Sequence, residues 1–318
     1  MSTDPVSTSS AAVARPAQPK RYLDPKIDLA FKRVFGEHKN LLKSFLNALL
    51  PLPEDGQIDT LEYLPPEQVP ELPGFFKYSI VDVKCTDQNG RIFIVEMQML
   101  WVVAFEQRMV FSASQAYVKQ MREGQSYKDL RPVYALAILN SKFDPVSGTG
   151  GGAPGGAPGG TPGGPQADYY HHYKIVNVER PQQTLKGLEF VFIELPKFKP
   201  ESRTEKRLQN LWLRFLRETG AQTEQVIDPA LMQDRDIAEA LNLVEQAAFT
   251  EAELNGYHVA LDRARMAVDI VADAEAKGKA EGELAKARAI AAILLTQGLA
   301  LEQVAAATGL TVPDLQAL

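Results

Sequence analysis

Cysteine is almost missing from this sequence: of 318 residues, Cys85 alone is a cysteine. A single thiol excludes an internal disulfide and any zinc site built from several cysteines, and it fits a reducing, cytoplasmic setting. Long apolar runs are missing too. No stretch approaches the ~20 residues needed to cross a bilayer, so no membrane segment is expected. The opening residues MSTDPVSTSSAAVARPAQPK hold no apolar segment behind a basic start, which argues against a secretory signal, and residues 1–19 read as a disordered tail. Finally, the chain lacks the overall positive charge of a simple nucleic-acid binder, since its formal net charge is −6.

That sum conceals a division. Residues 20–43 carry seven Lys/Arg against three Asp/Glu, residues 197–217 seven against two, and residues 231–318 seven against fourteen. Two basic segments followed by an acidic region suit a phosphate-binding part joined to a part with another task, although solvated helix faces give the same counts. The length allows one larger domain and a smaller appended one.

Periodicity supplies the elements. Ile27, Ala30, Phe31, Val34 and Phe35 recur at helical spacing after Asp24-Pro25, and Gly36 stops that helix. NLLKSFLNALLP reads as a second amphipathic helix, capped by Asn40 and ended by Pro51. A short strand is expected within Ile58–Pro66, a helix over Phe105–Gly124 and a buried strand over Pro132–Asn140. The Gly/Pro-rich run at 147–166 is a flexible insertion, expected at a hairpin tip because strand-like YYHHYKIVNV resumes beyond it. LEFVFIELPKF gives a further strand and Thr204–Thr219 a helix. From residue 231 onward the chain reads as helical, and Thr311 and Asp314 have capping-box spacing before the last helix.

The chemistry concentrates in KYSIVDVKCTDQNGRIFIVEMQM, where two β-branched runs flank DQNG, a hairpin signal. The loop length decides what the hairpin can do. A three-residue loop Gln88-Asn89-Gly90, with Gly90 left-handed, pairs Asp87 with Arg91, sets Asp82 opposite Glu96 and Ile80 opposite Gln98, and puts Lys84, Asp82, Glu96 and Gln98 on one face. Val81, Val83, Cys85, Phe93, Val95 and Met97 then face the other way. A two-residue loop would send the carboxylates to opposite faces. Two opposed carboxylates repel unless a cation or a proton lies between them, which points to a metal site; unrelated polar positions on a solvated face are the alternative.

The string Asp82-Val83-Lys84 with Ile94-Val95-Glu96-Met97-Gln98 resembles the recombination-promoting nuclease family, also called transposases, of the PD-(D/E)XK superfamily. DPKIDLAFKRVFG resembles that family's opening helix, RMVFSASQAYVKQMREGQSYKDLRPVYALAILN its helix-to-strand section, and FVFIELPKF the strand before a polar helix. The likeness runs over roughly residues 24–218. It implies an α/β fold: a restriction-endonuclease-like core with a mixed central sheet flanked by helices at 20–230, plus an all-helical C-terminal region at 231–318. It also implies a DNA endonuclease using Mg2+, or Mn2+ in its place, held by Asp82 and Glu96. Gln98 stands where such sites usually have lysine. A neutral amide cannot supply lysine's charge to the pentavalent phosphorane; Lys84, on the same face, is a candidate replacement. Asp28 and Lys32 fall in the opening motif, and Arg108 matches a family arginine that could contact phosphate.

Other features carry less. His171 and His172, a tandem pair beside the Gly/Pro-rich run, read as a strand edge rather than a metal site. GLALEQVAAATGLTVPDLQAL has the rhythm of a helix-turn-helix, yet VPDLQAL lacks any Lys, Arg or Asn to touch DNA, so packing or homodimerisation through the C-terminal helices is expected. Nothing resembles a three-carboxylate transposase domain. The expected activity is therefore phosphodiester hydrolysis; a weakly catalytic regulator that binds DNA or protein is the alternative.

Overall fold

The computed structural model describes residues 20–68, 79–100, 104–142, 169–200, 207–220 and 227–318. The Gly/Pro-rich insertion at 147–166, the tail at 1–19 and the start of the helix expected from Thr204 lie outside them.

A six-stranded mixed sheet forms the centre. Its strands are β1 (Leu61–Tyr63), β4 (Val83–Asp87), β5 (Ile92–Gln98), β6 (Val133–Leu139), β7 (Tyr170–Asn177) and β8 (Arg180–Glu194), in the order β1-β4-β5-β6-β8-β7. A separate two-stranded ladder joins β2 (Glu67–Gln68) to β3 (Ser79–Ile80). Neighbours are antiparallel except β5–β6 and β6–β8, which are parallel. Strands β5 and β6, interior to the sheet, are almost wholly buried, and their continuous runs IFIV and VYALAIL show it, because a strand covered on both faces need not alternate.

The β4–β5 hairpin has the three-residue turn. Gly90 adopts φ 73, its N–H donates to Asp87 O at 3.0 Å, and Asp87 N–H donates to Arg91 O at 3.1 Å. Asp87 holds the turn from inside: its Oδ1 accepts from Asn89 N at 3.0 Å and Arg91 N at 2.8 Å, while the Arg91 guanidinium lies 2.6 Å from Oδ2. The ladder pairs Val83 with Val95 and Cys85 with Phe93, the register that this loop length demands.

The insertion does not sit at a hairpin tip. It connects β6 to β7, and β8 lies between those two strands. The hairpin is β7–β8, turning where Asn177 pairs with Arg180 and the Asn177 side chain accepts from Glu179 N and Arg180 N.

Helices cover the sheet. Under α3 (Phe105–Val118) lies a core of Ile92, Ile94, Val133, Ala135, Ala137, Leu139 and Phe192 with Phe105, Met109, Ala113 and Ala116. Elsewhere α1 (Asp28–Phe31), α2 (Lys39–Leu49) and α4 (Arg207–Glu218) meet in an aromatic nest. There Phe35 contacts Phe31, Phe45 and Trp212, and Trp212 Nε1 donates to Ser44 Oγ at 3.2 Å. Two helix starts differ from expectation. Asp24 caps a turn, accepting from Lys26 N and Ile27 N, so α1 opens only at Asp28 and then widens into a π-helical stretch, Lys32–Gly36. His38, not Asn40, precedes α2, and the Asn40 amide instead donates to Glu239.

Two compact units divide after His258, whereas the sequence suggests residue 230. Short helices α5 (Pro229–Met232) and α6 (Arg235–Leu243) and the first turns of α7 (Glu251–Thr296) belong to the first unit. Leu23 N bonds Val244 O at 2.8 Å, and Asp24 N donates to the Tyr257 hydroxyl at 2.8 Å. In the second unit, α8 (Leu301–Thr308) and α9 (Val312–Gln316) fold onto the end of α7 around Ala291, Val304, Leu310 and Leu315. Gly309, at φ 72, ends α8, and Thr311 and Asp314 form the expected capping box.

Candidate active site

Glu96 sits in the middle of the sheet and is 5 % exposed. Asp82 lies just before β4, at the position that the ladder register extends opposite Glu96. The chain departs from the ladder here. Val81 packs with Ile92 and Ile94 under α3 rather than facing away with Val83, so the strict alternation expected of the strand stops short of it. In place of a strand partner, the Asp82 carboxylate itself accepts from Met97 N at 2.6 Å. That bond ties the first acid to the strand bearing the second.

The pair is short of compensation. Among the described residues neither Asp82 nor Glu96 makes an ion pair, and the register brings the two carboxyls together. Burial, then the neighbouring Asp82 charge, pushes Glu96 up to about 8. Asp82 is raised as well, by burial and by Asp28, against the Met97 N–H and the charges of Lys32 and Arg108. Both carboxyls are thus harder to ionise than free ones.

The opening helix brings Asp28 and Lys32 within electrostatic reach of this pair. They form an exposed ion pair of 2.9 Å one turn apart. Burial works against the charge of Lys32, but Asp28, Asp82 and Glu96 outweigh it and leave its pKa raised. Arg108 arrives from the first turn of α3: its Nη2 donates to Gln98 Oε1 at 2.7 Å and its guanidinium lies 4.9 Å from the Phe105 ring centre. Gln98 Nε2 donates to Leu100 O at 2.6 Å. Lys84 is half-buried, and its pKa is lowered by burial and by Lys119; the cations that bear most on the acids are Lys32 and Arg108.

A second set of charges lies on β7 and β8. His171 Nε2 is 2.9 Å from Glu194 and His172 Nε2 is 3.0 Å from Glu189, so each histidine does meet an acid. The two rings pair with Phe192 and Val191, successive residues of β8, and therefore point to opposite faces and cannot share a metal. Sequence spacing hid these contacts because both acids come from the strand that follows.

Asp82 and Glu96 offer hard oxygen donors. Among the described residues no group of three or more His, Cys, Asp or Glu is placed to hold a metal ion. A carboxylate pair nonetheless suits Mg2+ or Mn2+, which commonly keep water and take substrate phosphate oxygens for the rest of their shell. The neighbouring Asp82 charge that helps to raise Glu96 is the repulsion a bound cation would relieve.

No described helix is long and apolar enough to cross a membrane. Comparison with curated proteins and with solved structures returns no match. Comparison with protein families matches residues 25–149 and 162–273 to the PD-(D/E)XK nuclease family transposase. With most of the chain matched and a mixed sheet that buries Glu96 beside half-buried Asp82, the protein belongs to the PD-(D/E)XK nuclease family transposases.

Proposed function

We propose that the chain is a DNA endonuclease that hydrolyses phosphodiester bonds with Mg2+ or Mn2+, in a cytoplasmic setting and in the service of recombination. The observation that carries the reading is buried Glu96 with half-buried Asp82 opposite it, neither in an ion pair among the described residues. Leaving two carboxyls together without a cation costs stability, and a cation-dependent site is the use that would offset it. Asp82 and Glu96 would hold the ion. When bound, a divalent ion lowers the pKa of water and neutralises charge on the scissile phosphate. Water adds to phosphorus, the bond to the leaving oxygen breaks, and the products are a phosphomonoester and an alcohol.

The chain's own groups set the geometry. Met97 N–H fixes Asp82 against β5. Lys32, close enough to feel both acids, limits their repulsion and adds positive potential for the DNA backbone. The second unit is proposed to pair with a second copy, since Val259, Met266 and Ile270 of α7 are more than half exposed. Sedimentation of the full chain and of Met266→Glu/Ile270→Glu checks this: the variant should be lighter.

Supercoiled plasmid incubated with Mg2+, Mn2+ or EDTA tests the activity. Nicking should need the metal and vanish in Asp82→Asn and Glu96→Gln. Nicking that survives either substitution would remove the site from the acid pair, and no nicking with any divalent ion would favour a binding regulator.

A further inference from the structure

Gln98 poses a problem that the acid pair does not solve, because its amide is neutral where charge must be met. We infer that Arg108 supplies this charge, with Gln98 acting as the positioning residue that holds the guanidinium beside the scissile phosphate. The inference rests on the nuclease reading above.

The orientation of Gln98 follows from its partners. Leu100 O can only accept, so the amide nitrogen faces it at 2.6 Å; a guanidinium can only donate, so the amide oxygen faces Arg108 at 2.7 Å. Both ends of the side chain are fixed, and the oxygen is committed to a cation. Gln98 itself follows Glu96 by two residues on β5, on the same face of a regular strand. Arg108 therefore meets the site at the position where the amide falls short.

Arg108 is also available to a substrate. Among the described residues it makes no ion pair, and Gln98 is the only hydrogen-bond partner of its guanidinium. The Phe105 ring 4.9 Å away restricts the guanidinium without consuming a donor. Its remaining N–H groups form a planar fork that fits two oxygens of a phosphate. The other cations are less suited. Lys32 is engaged with Asp28 at 2.9 Å, and Lys84 has Lys119 as its leading charged neighbour. The charge of Arg108 already reaches both Asp82 and Glu96.

A planar guanidinium also meets phosphate through two parallel N–H bonds, which a point-charge ammonium cannot do. The glutamine is then not a degraded lysine. It is one half of a two-residue cation, with the charge moved to the neighbouring helix.

Cleavage kinetics of a duplex with Mn2+ test the pair through kcat and KM separately. Arg108→Ala should lower kcat on the order of a hundredfold to a thousandfold with little change in KM. Gln98→Ala should fall by a similar factor, and the double alanine variant should be no slower than the worse single one. Placing lysine directly on β5, as Gln98→Lys in the Arg108→Ala background, should recover most of the lost kcat. A rise in KM alone in Arg108→Ala, or failure of that lysine to restore kcat in a variant with the wild-type melting profile, overturns the inference and leaves the nuclease reading intact. A wild-type chain that cuts nothing with any divalent ion overturns both.

Discussion

Two kinds of buried or half-buried acid lie along the same sheet and are treated in opposite ways. Glu194 is fully buried at the end of β8, and it is met by His171 at 2.9 Å and Lys197 at 2.7 Å. Asp87, at the hairpin turn, is met by the Arg91 guanidinium and two backbone N–H groups. Asp82 and Glu96, a few residues further along the same hairpin, have each other. Folding meets the first kind with cations and leaves the second kind harder to ionise than free carboxyls. Where a protein can compensate a carboxylate and does not, stability is not what the carboxylate is for.

Substitutions should separate the two kinds, most sharply in activity. Asp82→Asn and Glu96→Gln should each reduce cleavage on the order of a thousandfold while the fold persists. Glu194→Gln should keep its turnover per folded molecule; a loss of turnover comparable to that of Glu96→Gln would erase the distinction.

Stability should show the reverse order. Asp87→Asn strands the mostly buried Arg91 and weakens the turn, and should cost about 3 kcal/mol in chemical denaturation. A cost near zero would mean that the compensated acids are no more structural than the others.

The pH dependence of stability has a sign that distinguishes the pair. Glu96 in the folded chain is held up to about 8, above its unfolded value, so the folded state binds the extra proton. Stability from this group is complete below the unfolded pKa and is lost as pH rises through about 8. Glu96→Gln should therefore melt like the wild type at pH 4 and be more stable at pH 9, by on the order of 5 kcal/mol. Mn2+ should raise the melting temperature of the wild type at pH 8 and leave Glu96→Gln unchanged. A variant less stable than the wild type at pH 9 would contradict the uncompensated pair.

The smallest effect belongs to the exposed Lys32–Asp28 pair. Lys32→Ala should change stability by less than about 0.5 kcal/mol. It should nevertheless move the acid pair's titration further upward, followed as the pH midpoint of the same melting series, since Lys32 opposes the rise in both acids.

Much of this geometry was legible in the residues. DQNG with a glycine at its third loop position fixes the turn, and the turn fixes the register, because side chains alternate along a strand. The fold class and the family followed from local motifs. What was not legible depends on contacts between distant segments. Arg108 meets Gln98 across a helix-to-strand step, and nothing in their spacing of ten residues announces a hydrogen bond. Glu189 and Glu194 reach the histidines only because β8 lies beside β7. Val81 left the expected face because packing under α3 prevailed over alternation where the ladder ends. The late start of α1 came from Asp24, which caps a turn as readily as a helix.

The turn at Gln88-Asn89-Gly90 also sets which changes of length the gene can tolerate. Removing one residue there would carry Asp82 to the face opposite Glu96 and separate the two acids, with every chemical group still encoded. The Gly/Pro-rich stretch at 147–166 joins β6 to β7, strands that do not pair with each other, so its length sets no register, and closing a longer loop adds little cost. A reading-frame-preserving deletion of a single codon in the hairpin should thus be fatal to activity, while whole repeats can come and go between β6 and β7.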